Sequence, residues 1–223
     1  MPIPQSALQR EIVHCDANIP RVAIKSPFAI ALFLILTILV LGTDLVSKKV
    51  VFDSLLTDPV SQNRLVQART YHPQMTAKQA LSYFRKPFVL GVNFTLSTNE
   101  GVAFGLFVPR LLIAVFTVLT IGLIFYFFAS SPAESLPMHI ILALILGGAL
   151  GNLYDRLFCE VTVSGFEGIR YQVRDFIDCT DLHYPWVFNV ADVFLVVGIV
   201  LLLLHMFVSH HKSALDKKKA QLS

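Results

Sequence analysis

The chain has 223 residues, of which 55% are hydrophobic and 15% are charged, and its formal net charge is +3. A mean hydropathy of +0.65 is unusual for a soluble domain, so the composition indicates an integral membrane protein. The small net charge argues against the strongly basic surface that a nucleic-acid-binding protein needs.

Four stretches are long and apolar enough to cross a bilayer as helices. We expect these helices at about 27–46, 110–129, 138–157 and 186–208. The third becomes polar towards its end, but Gly147, Gly148 and Gly151 supply the small surface through which membrane helices pack closely. The rest of the chain divides into two polar blocks between helices and two flanking segments: 47–109, 158–185, 1–26 and 209–223.

The orientation in the membrane follows only weakly from charge. The first 26 residues are polar and of mixed charge, so we expect no cleavable signal peptide. An even number of helices places both termini on one side, and the two terminal segments together carry seven Lys and Arg residues, which favours the cytoplasm. The segment 47–110 carries eight, so charge favours cytoplasmic termini without deciding the matter.

Both polar blocks contain strand signals. In the first block, "TAKQALSYFRK" predicts a short amphipathic helix behind the N-cap candidate Thr76, lying on the membrane or against the protein. "VNFTLS" (92–97) alternates apolar and polar residues and predicts a strand. In the second block, alternation on both sides of "GFEG" predicts a hairpin, with Asp175 just beyond its second strand. We therefore expect four helices topped by a small sheet.

Four acids lie at or near the ends of the predicted helices: Asp44, Asp155, Asp175 and Asp192. The first and third helices end, and the fourth begins, on the same side of the membrane. Asp44, Asp155 and Asp192 should therefore meet at one face. Asn152 and Asn189 each stand three residues before an Asp, and this spacing puts each pair on one side of its helix.

A structural role is the competing interpretation for two of these acids. Asp155 is adjacent to Arg156, and we expect the two side chains to form a structural ion pair. Asp44 stands four residues before Lys48, which is the spacing of an ordinary helix ion pair.

Asp192 favours a functional role because it has no basic residue within a helical turn. A carboxylate at bilayer depth costs at least about 2.5 kcal/mol. If Asp175 reaches Asp192, the two carboxylates cannot both ionise easily, and the pair holds one proton. Such a pair can activate water and polarise a peptide carbonyl, which is aspartic peptidase chemistry. Asp178 and Asp181 are expected to be solvated loop acids.

Other chemistries lack their motifs. The sequence contains no serine-hydrolase elbow, zinc-protease motif, phosphate-binding loop or dinucleotide fingerprint. We therefore expect neither a metal nor a cofactor.

Five motifs, in this order, resemble those of the bacterial lipoprotein signal peptidases, a family of aspartic peptidases. They are "DLVSK" (44–48), "NEGVAFGLF" (99–107), "GGALGNLYDRL" (147–157), "VRDFID" (173–178) and "FNVAD" (188–192). The resemblance implies an all-α polytopic membrane protein with four transmembrane helices, a small extracytoplasmic β-cradle, a short amphipathic arm helix and cytoplasmic termini.

The resemblance also implies roles for individual residues. It assigns the catalytic pair to Asp175 and Asp192. The positions that it implies for substrate binding or for support of the site are Asp44, Lys48, Asn99, Gly101, Asn152, Asp155, Arg156 and Asn189.

The implied reaction removes the signal peptide from prolipoproteins, on the N-terminal side of a diacylglyceryl-modified cysteine. It takes place near the extracytoplasmic face of the bacterial inner membrane. The implied partners are prolipoprotein signal peptides, membrane lipid and globomycin-type inhibitors, without nucleic acid. Nothing in the sequence demands a partner subunit, so we expect a monomer.

Two functional alternatives and two structural questions stay open. The main alternative is a small proton- or ion-coupled transporter that uses Asp44, Asp155 and Asp192 as a relay. Another is a lipid- or peptide-binding membrane protein without catalysis. The segments 51–88 and 158–172 look longer than in the family, which leaves specificity more open than activity. Cys159 and Cys179 are equally consistent with a disulfide and with two free thiols.

Overall fold

The computed structural model describes residues 21–101 and 108–222. The expectations for residues 1–20, and for the 102–107 part of the second motif, lie outside the described residues. The helices are α1 (Pro27–Leu56), α2 (Pro59–Tyr71), α3 (Ala77–Leu81), α4 (Arg110–Ser130), α5 (Leu136–Phe158) and α6 (Val190–Leu222). The strands are β1 (Arg85–Val89), β2 (Val92–Asn99), β3 (Glu160–Val161), β4 (Ile169–Arg170), β5 (Val173–Asp178) and β6 (Val187–Phe188).

Four helices in the described part of the chain are long and apolar enough to cross a membrane, namely α1, α4, α5 and α6. This confirms the predicted number of membrane helices. Helix α1 begins at Pro27, where the Ser26 side chain accepts a hydrogen bond from the backbone of Ala29. Its 30 residues span about 45 Å, which exceeds the ~30 Å hydrocarbon core. Helix α1 therefore continues past the expected end near residue 46 and leaves the apolar layer.

Helix α5 is the most buried of the four membrane helices. A β-carbon at Gly148 would lie 2.7 Å from the Ala191 carbonyl oxygen of α6. A β-carbon at Gly147 would lie 2.5 Å from Val40 Cγ1 of α1. Both contacts are closer than a side chain allows, so the glycines let α1 and α6 approach α5, as the sequence predicts.

A four-stranded antiparallel sheet has the order β1-β2-β5-β6. Strands β3 and β4 form a separate ladder. Strand β2 confirms the strand predicted at 92–97, and β3 and β4 confirm a hairpin at its predicted place.

Asp175 lies beyond the β3–β4 hairpin, as predicted, but it belongs to a further strand that the sequence did not predict. Tyr171 has a positive φ of 62° and breaks the alternation after β4, so a new strand begins at Val173. Asp175 lies inside this strand, β5, opposite Ser97 of β2. The central strands of the sheet therefore hold Asp175 in place.

An apolar cluster joins the C-terminal end of α1 to the sheet. Its buried members are Phe52, Leu55, Leu65, Ala80, Leu81, Phe84, Leu96, Val161, Val163 and Phe176. Because side chains alternate along a strand, the inclusion of Phe176 places its neighbour Asp175 on the opposite face of β5.

The two long segments contribute to this same cluster. Thr76 caps α3 through a reciprocal capping box with Gln79, as predicted, and the five-residue helix buries Ala80 and Leu81 against the protein. The guanidinium of Arg69 in α2 lies 4.9 Å from the centre of the Phe166 ring. The segments 51–88 and 158–172 therefore pack together.

Strand β6 explains the late start of the last membrane helix. Val187 and Phe188 pair with Asp178 and Ile177 of β5, so α6 begins at Val190 instead of residue 186. This short strand carries the chain directly from the sheet into the membrane helix.

Candidate active site

Lys48 is the centre of a fully buried charge cluster. Its Nζ lies 2.7 Å from Asp44 Oδ2 and 3.1 Å from Asp155 Oδ2, and all three side chains are inaccessible to solvent. The ammonium also donates to Asn152 Oδ1 at 3.1 Å. The predicted helix pair of Asp44 and Lys48 is confirmed, but it is fully buried, and the same ammonium also holds α1 to α5.

Asp155 does form ion pairs, but the prediction of Arg156 as its partner is wrong. Its Oδ1 atom lies 2.7 Å from Nη2 of Arg174, and its other oxygen faces Lys48. Arg156 instead donates to the backbone oxygens of Asn152 and Gly101, at 3.2 and 2.9 Å. Consecutive side chains on a helix point in different directions, so adjacency did not produce contact.

Asp44 connects the charge cluster to the start of α6. Its Oδ1 atom accepts a hydrogen bond from the backbone N–H of Ala191 at 2.9 Å. A carboxylate at a helix N-terminus satisfies an orphan donor and complements the helix dipole. The structure thus brings Asp44 and Asp155 to the level of Asp192, as expected from the alternating helix directions.

Asn189 and Asp192 form a reciprocal cap at the start of α6. The backbone N–H of Asp192 donates to Asn189 Oδ1 at 3.0 Å, and the backbone N–H of Asn189 donates to Asp192 Oδ2 at 3.2 Å. This is the geometry of a capping box. Asn152 Nδ2 adds a bond to Asp192 Oδ1 at 2.8 Å. The cap explains how an apolar helix can begin with two polar side chains.

Asn189 also connects the two predicted catalytic acids. Its Nδ2 donates to Asp175 Oδ1 at 2.6 Å and to Asn152 Oδ1 at 3.1 Å. Asp175 is only 3% exposed. Burial, together with the nearby Asp192 charge, raises the pKa of Asp175 to about 8, although the Asn189 bond and the charges of Lys48 and Arg156 oppose this shift. Asp175 therefore retains a proton at neutral pH.

Both acids line one cavity of about 600 Å³. Its apolar side includes Ile113 and Phe116 of α4 and Leu195 and Val196 of α6. Its polar side includes Asn99, Asn152, Arg156, Asp175 and Asp192. Aromatic side chains complete one wall: Tyr184, Trp186 and Phe188. None of the described residues that line this cavity comes from 51–88 or 158–172.

Asn99, at the end of β2, and Gly101, in the loop that follows, support Arg156. Asn99 Oδ1 accepts a hydrogen bond from the Gly101 N–H at 2.9 Å, and the Gly101 carbonyl accepts from Arg156. All ten residues predicted for the site are thus connected to the cavity or to the charge cluster.

Asp178 differs from the expectation of a solvated loop acid. It lies in β5 and is 4% exposed. Burial works to raise its pKa, but hydrogen bonds from Thr180 and Thr95 and the charge of Arg85 lower it below the ordinary value. The pKa values of two acids three residues apart in one strand are therefore shifted in opposite directions. Asp181 is exposed and pairs with Arg85 at 2.9 Å.

Sequence reasoning also missed Arg174, although it directly precedes Asp175. A basic residue beside a predicted catalytic acid is the available signal, but its partner Asp155 lies in helix α5, 19 residues away in the chain. Cys159 and Cys179 are free thiols.

Replacement of Lys48 by Met should leave two buried carboxylates without their shared cation. We expect Lys48→Met to lower the free energy of unfolding by about 3–5 kcal/mol, measured by denaturant titration in detergent. Lys49→Met is the matched control, because Lys49 makes a 2.7 Å pair with Asp53 that is largely exposed. That variant should change stability by less than about 1 kcal/mol. Equal effects of the two substitutions would contradict a central role for Lys48.

Comparison with known proteins identifies the family. The model of the family described as signal peptidase (SPase) II matches residues 36–208. A lipoprotein signal peptidase of Clostridium novyi (strain NT) is 38% identical over 112 residues, covering 49% of this chain and 69% of the relative. One from Fusobacterium nucleatum subsp. nucleatum is 36% identical over 123 residues, covering 54% and 67%.

A solved structure of a bacterial membrane enzyme shares the fold. Its TM-score is 0.56 at 20% identity, and the match covers 80% of this chain and 88% of that chain. The family match, the relatives and the four membrane helices agree. The chain belongs to the signal peptidase II family and is a multi-pass bacterial membrane protease that acts in lipoprotein processing.

Proposed function

We propose that this protein removes signal peptides from prolipoproteins by activating water between Asp175 and Asp192. The cleaved bond lies on the N-terminal side of a diacylglyceryl-modified cysteine. The observation that carries the proposal is the meeting of two acids from different elements at Asn189, which donates to Asp175 and caps α6 together with Asp192. The family membership supports the substrate class.

The electrostatics of the pair suit acid–base catalysis. Burial and the Asp192 charge raise the pKa of Asp175 to about 8. At neutral pH, the pair therefore holds one proton that the two carboxyl groups share. The amides of Asn152 and Asn189 each hold one oxygen of an acid and fix both side chains towards the cavity.

Hydrolysis then follows from proton transfers within the pair. The ionised carboxylate takes a proton from water as the water oxygen bonds to the scissile carbonyl carbon. The protonated carboxyl gives its proton to the carbonyl oxygen, and a neutral tetrahedral diol forms. When the C–N bond breaks, one carboxyl protonates the leaving nitrogen and the other recovers the diol proton. The products are a carboxylic acid and an amine, and the pair again holds one proton.

The cavity suits a lipid-modified substrate. Apolar side chains of α4 and α6 line one side of it, and the acids line the other. A signal peptide that arrives as a membrane helix would meet the acids near the end of the apolar layer. Acyl chains on the neighbouring cysteine would stay among apolar side chains.

We also propose that both termini are cytoplasmic and that the sheet and active site lie on the extracytoplasmic side of the inner membrane. The lysines of the C-terminal tail support this orientation. The proposed substrate also supports an extracytoplasmic active site, because a lipoprotein is processed after it crosses the membrane. In this orientation α3 lies on the extracytoplasmic side.

A transporter is less well supported. Asp44, Asp155, Asp175 and Asp192 are linked to one another around Lys48, Asn152 and Asn189. A proton relay needs groups spaced across the bilayer, whereas these acids cluster at one end of the helices. The alternative of a non-catalytic binding protein does not explain why two acids share a buried site.

Replacement of either acid by its neutral amide should stop turnover. Asp175→Asn and Asp192→Asn should each lower kcat by roughly a thousandfold or more, because neither variant can supply both a base and an acid. The measurement is cleavage of a diacylglyceryl-modified prolipoprotein by purified protein. Both variants should unfold near the wild-type temperature, because Asn has nearly the shape of Asp and introduces no unpaired charge. Asp53→Asn, an exposed acid of α1, should keep full activity. Substantial turnover by either variant would refute the pair.

The alkaline limb of the pH profile should report the shared proton. We expect kcat/KM to fall as pH rises, with a midpoint near the Asp175 pKa of about 8. The Asn189 hydrogen bond favours the ionised form of Asp175. Asn189→Ser loses this bond but keeps an N-cap, so its alkaline limb should move to higher pH. A limb that stays in place or moves down would contradict this assignment.

Thiol labelling tests the orientation. In a protein whose three cysteines are replaced by Ser, Gln74→Cys should react in intact cells with a maleimide that cannot cross membranes. Ser213→Cys should react only after the membrane is permeabilised. Both positions are exposed, so reversed labelling would overturn the proposed orientation.

A further inference from the structure

Arg174 completes a chain of four charges, three of them fully buried, between the two candidate catalytic acids. The chain runs from Arg174 through Asp155 and Lys48 to Asp44. At one end, the backbone N–H of Arg174 donates to Asp155 Oδ2 at 3.0 Å. At the other end, the backbone N–H of Ala191 donates to Asp44 Oδ1 at 2.9 Å. Each end therefore holds the residue that directly precedes a candidate catalytic acid, Asp175 or Asp192.

The Arg174 end of this chain makes more hydrogen bonds than the Ala191 end. At the α6 end, a single N–H bond joins Ala191 to Asp44, and the reciprocal cap of Asn189 and Asp192 already fixes the backbone. At the β5 end, Arg174 binds both oxygens of Asp155. Its Nε and Nη2 atoms donate to Oδ1 at 3.1 and 2.7 Å, in addition to the backbone bond to Oδ2. These three hydrogen bonds fix the direction of β5 one residue before Asp175.

Charge balance also depends on Arg174. With its guanidinium, the chain contains two cations and two carboxylates. Without it, Lys48 alone would face Asp44 and Asp155, and a net negative charge would remain beside the acids. The Arg174 side chain is 13% exposed and lies 5.9 Å from the Phe52 ring centre, so water cannot easily replace the lost charge.

We propose that Arg174 is a positioning residue, which sets the place of Asp175 relative to Asp192 by locking β5 to Asp155. Arg174 is not among the described residues that line the cavity. It therefore acts through Asp155 and not on the substrate. The inference rests on the proposed roles of Asp175 and Asp192.

A purely structural role for Arg174 predicts a different result. Loss of a structural ion pair lowers the folded fraction, and it leaves the pH profile of the remaining active enzyme unchanged. Loss of a positioning residue alters the active molecules themselves. The extra negative charge would also disfavour ionisation of Asp175, whose other charged neighbours are Asp192, Lys48 and Arg156.

The test compares Arg174→Met and Arg174→Lys with wild type in cleavage of a diacylglyceryl-modified prolipoprotein across pH. A misplacement of about 1 Å at a catalytic group costs up to roughly 100-fold in rate, so Arg174→Met should lower kcat by about 10- to 100-fold. Its KM should change little, and its alkaline limb should move to higher pH. Arg174→Lys, which returns one cation to Asp155, should restore most of kcat and the wild-type limb.

Arg170→Met is the matched control. Arg170 lies in β4 and forms a 2.9 Å pair with Glu160, in which both side chains are largely exposed. This variant should match wild type in kcat and in pH profile. Unchanged kcat in Arg174→Met, a lower kcat with an unmoved alkaline limb, or failure of Lys to restore activity would each overturn the positioning role.

Asp175→Asn and Asp192→Asn, assayed alongside, separate this inference from the proposed function. If either Asn variant turns over substrate, the acid pair itself is wrong. If both are inactive while Arg174→Met behaves like Arg170→Met, only the role of Arg174 is wrong.

Discussion

The site depends on the ion pairs that the buried ammonium of Lys48 makes with two carboxylates. This ammonium holds Asp44 of α1 and Asp155 of α5 at 2.7 and 3.1 Å where no solvent reaches them. Two carboxylates in such surroundings are unfavourable without a cation. Because each carboxylate also accepts a backbone N–H next to a candidate catalytic acid, one cation connects two membrane helices, the central sheet and the start of α6. Loss of that cation would therefore affect the site as well as the fold.

The polar side chains at the start of α6 cap the helix and also contact the candidate site. Asn189 and Asp192 satisfy each other's backbone N–H groups, which a helix beginning at the edge of an apolar layer requires. The same two side chains face Asp175 and Asn152. Polar groups that are costly at bilayer depth are thus stabilised by the helix end that they cap. This arrangement gives Asp175 and Asp192 different surroundings within one cavity: a strand holds the first, and a helix cap holds the second.

Much of the architecture could be predicted because membrane helices can be recognised from their length and hydropathy. Four apolar stretches gave four helices, and the glycines of α5 predicted its close packing. Alternation predicted β2, and the order of motifs identified the family before any contact was known. The convergence of Asp44, Asp155 and Asp192 followed from the alternating helix directions alone.

The errors concern contacts that sequence spacing does not encode. Adjacency predicts Arg156 as the partner of Asp155, whereas the partners come from β5 and α1. The separate strand that contains Asp175 is not predicted, because the positive φ of Tyr171, which separates β4 from β5, has no signal in a non-glycine residue. The sequence predicts a loop at Asp178, because the length of β5 depends on pairing with β2, a distant segment. Arg174 was missed because its role is visible only once Asp155 lies beside it.

We propose above all that the buried Asp175 and the half-buried Asp192 form one pair that holds a single proton at neutral pH. Infrared difference spectroscopy of the purified protein, recorded as a function of pH, tests this claim most directly. We expect the carbonyl band of a protonated carboxyl group that disappears with a midpoint near pH 8 and is absent from Asp175→Asn. A spectrum in which every carboxyl group titrates in the ordinary range of Asp, or in which the band persists in Asp175→Asn, would contradict the account.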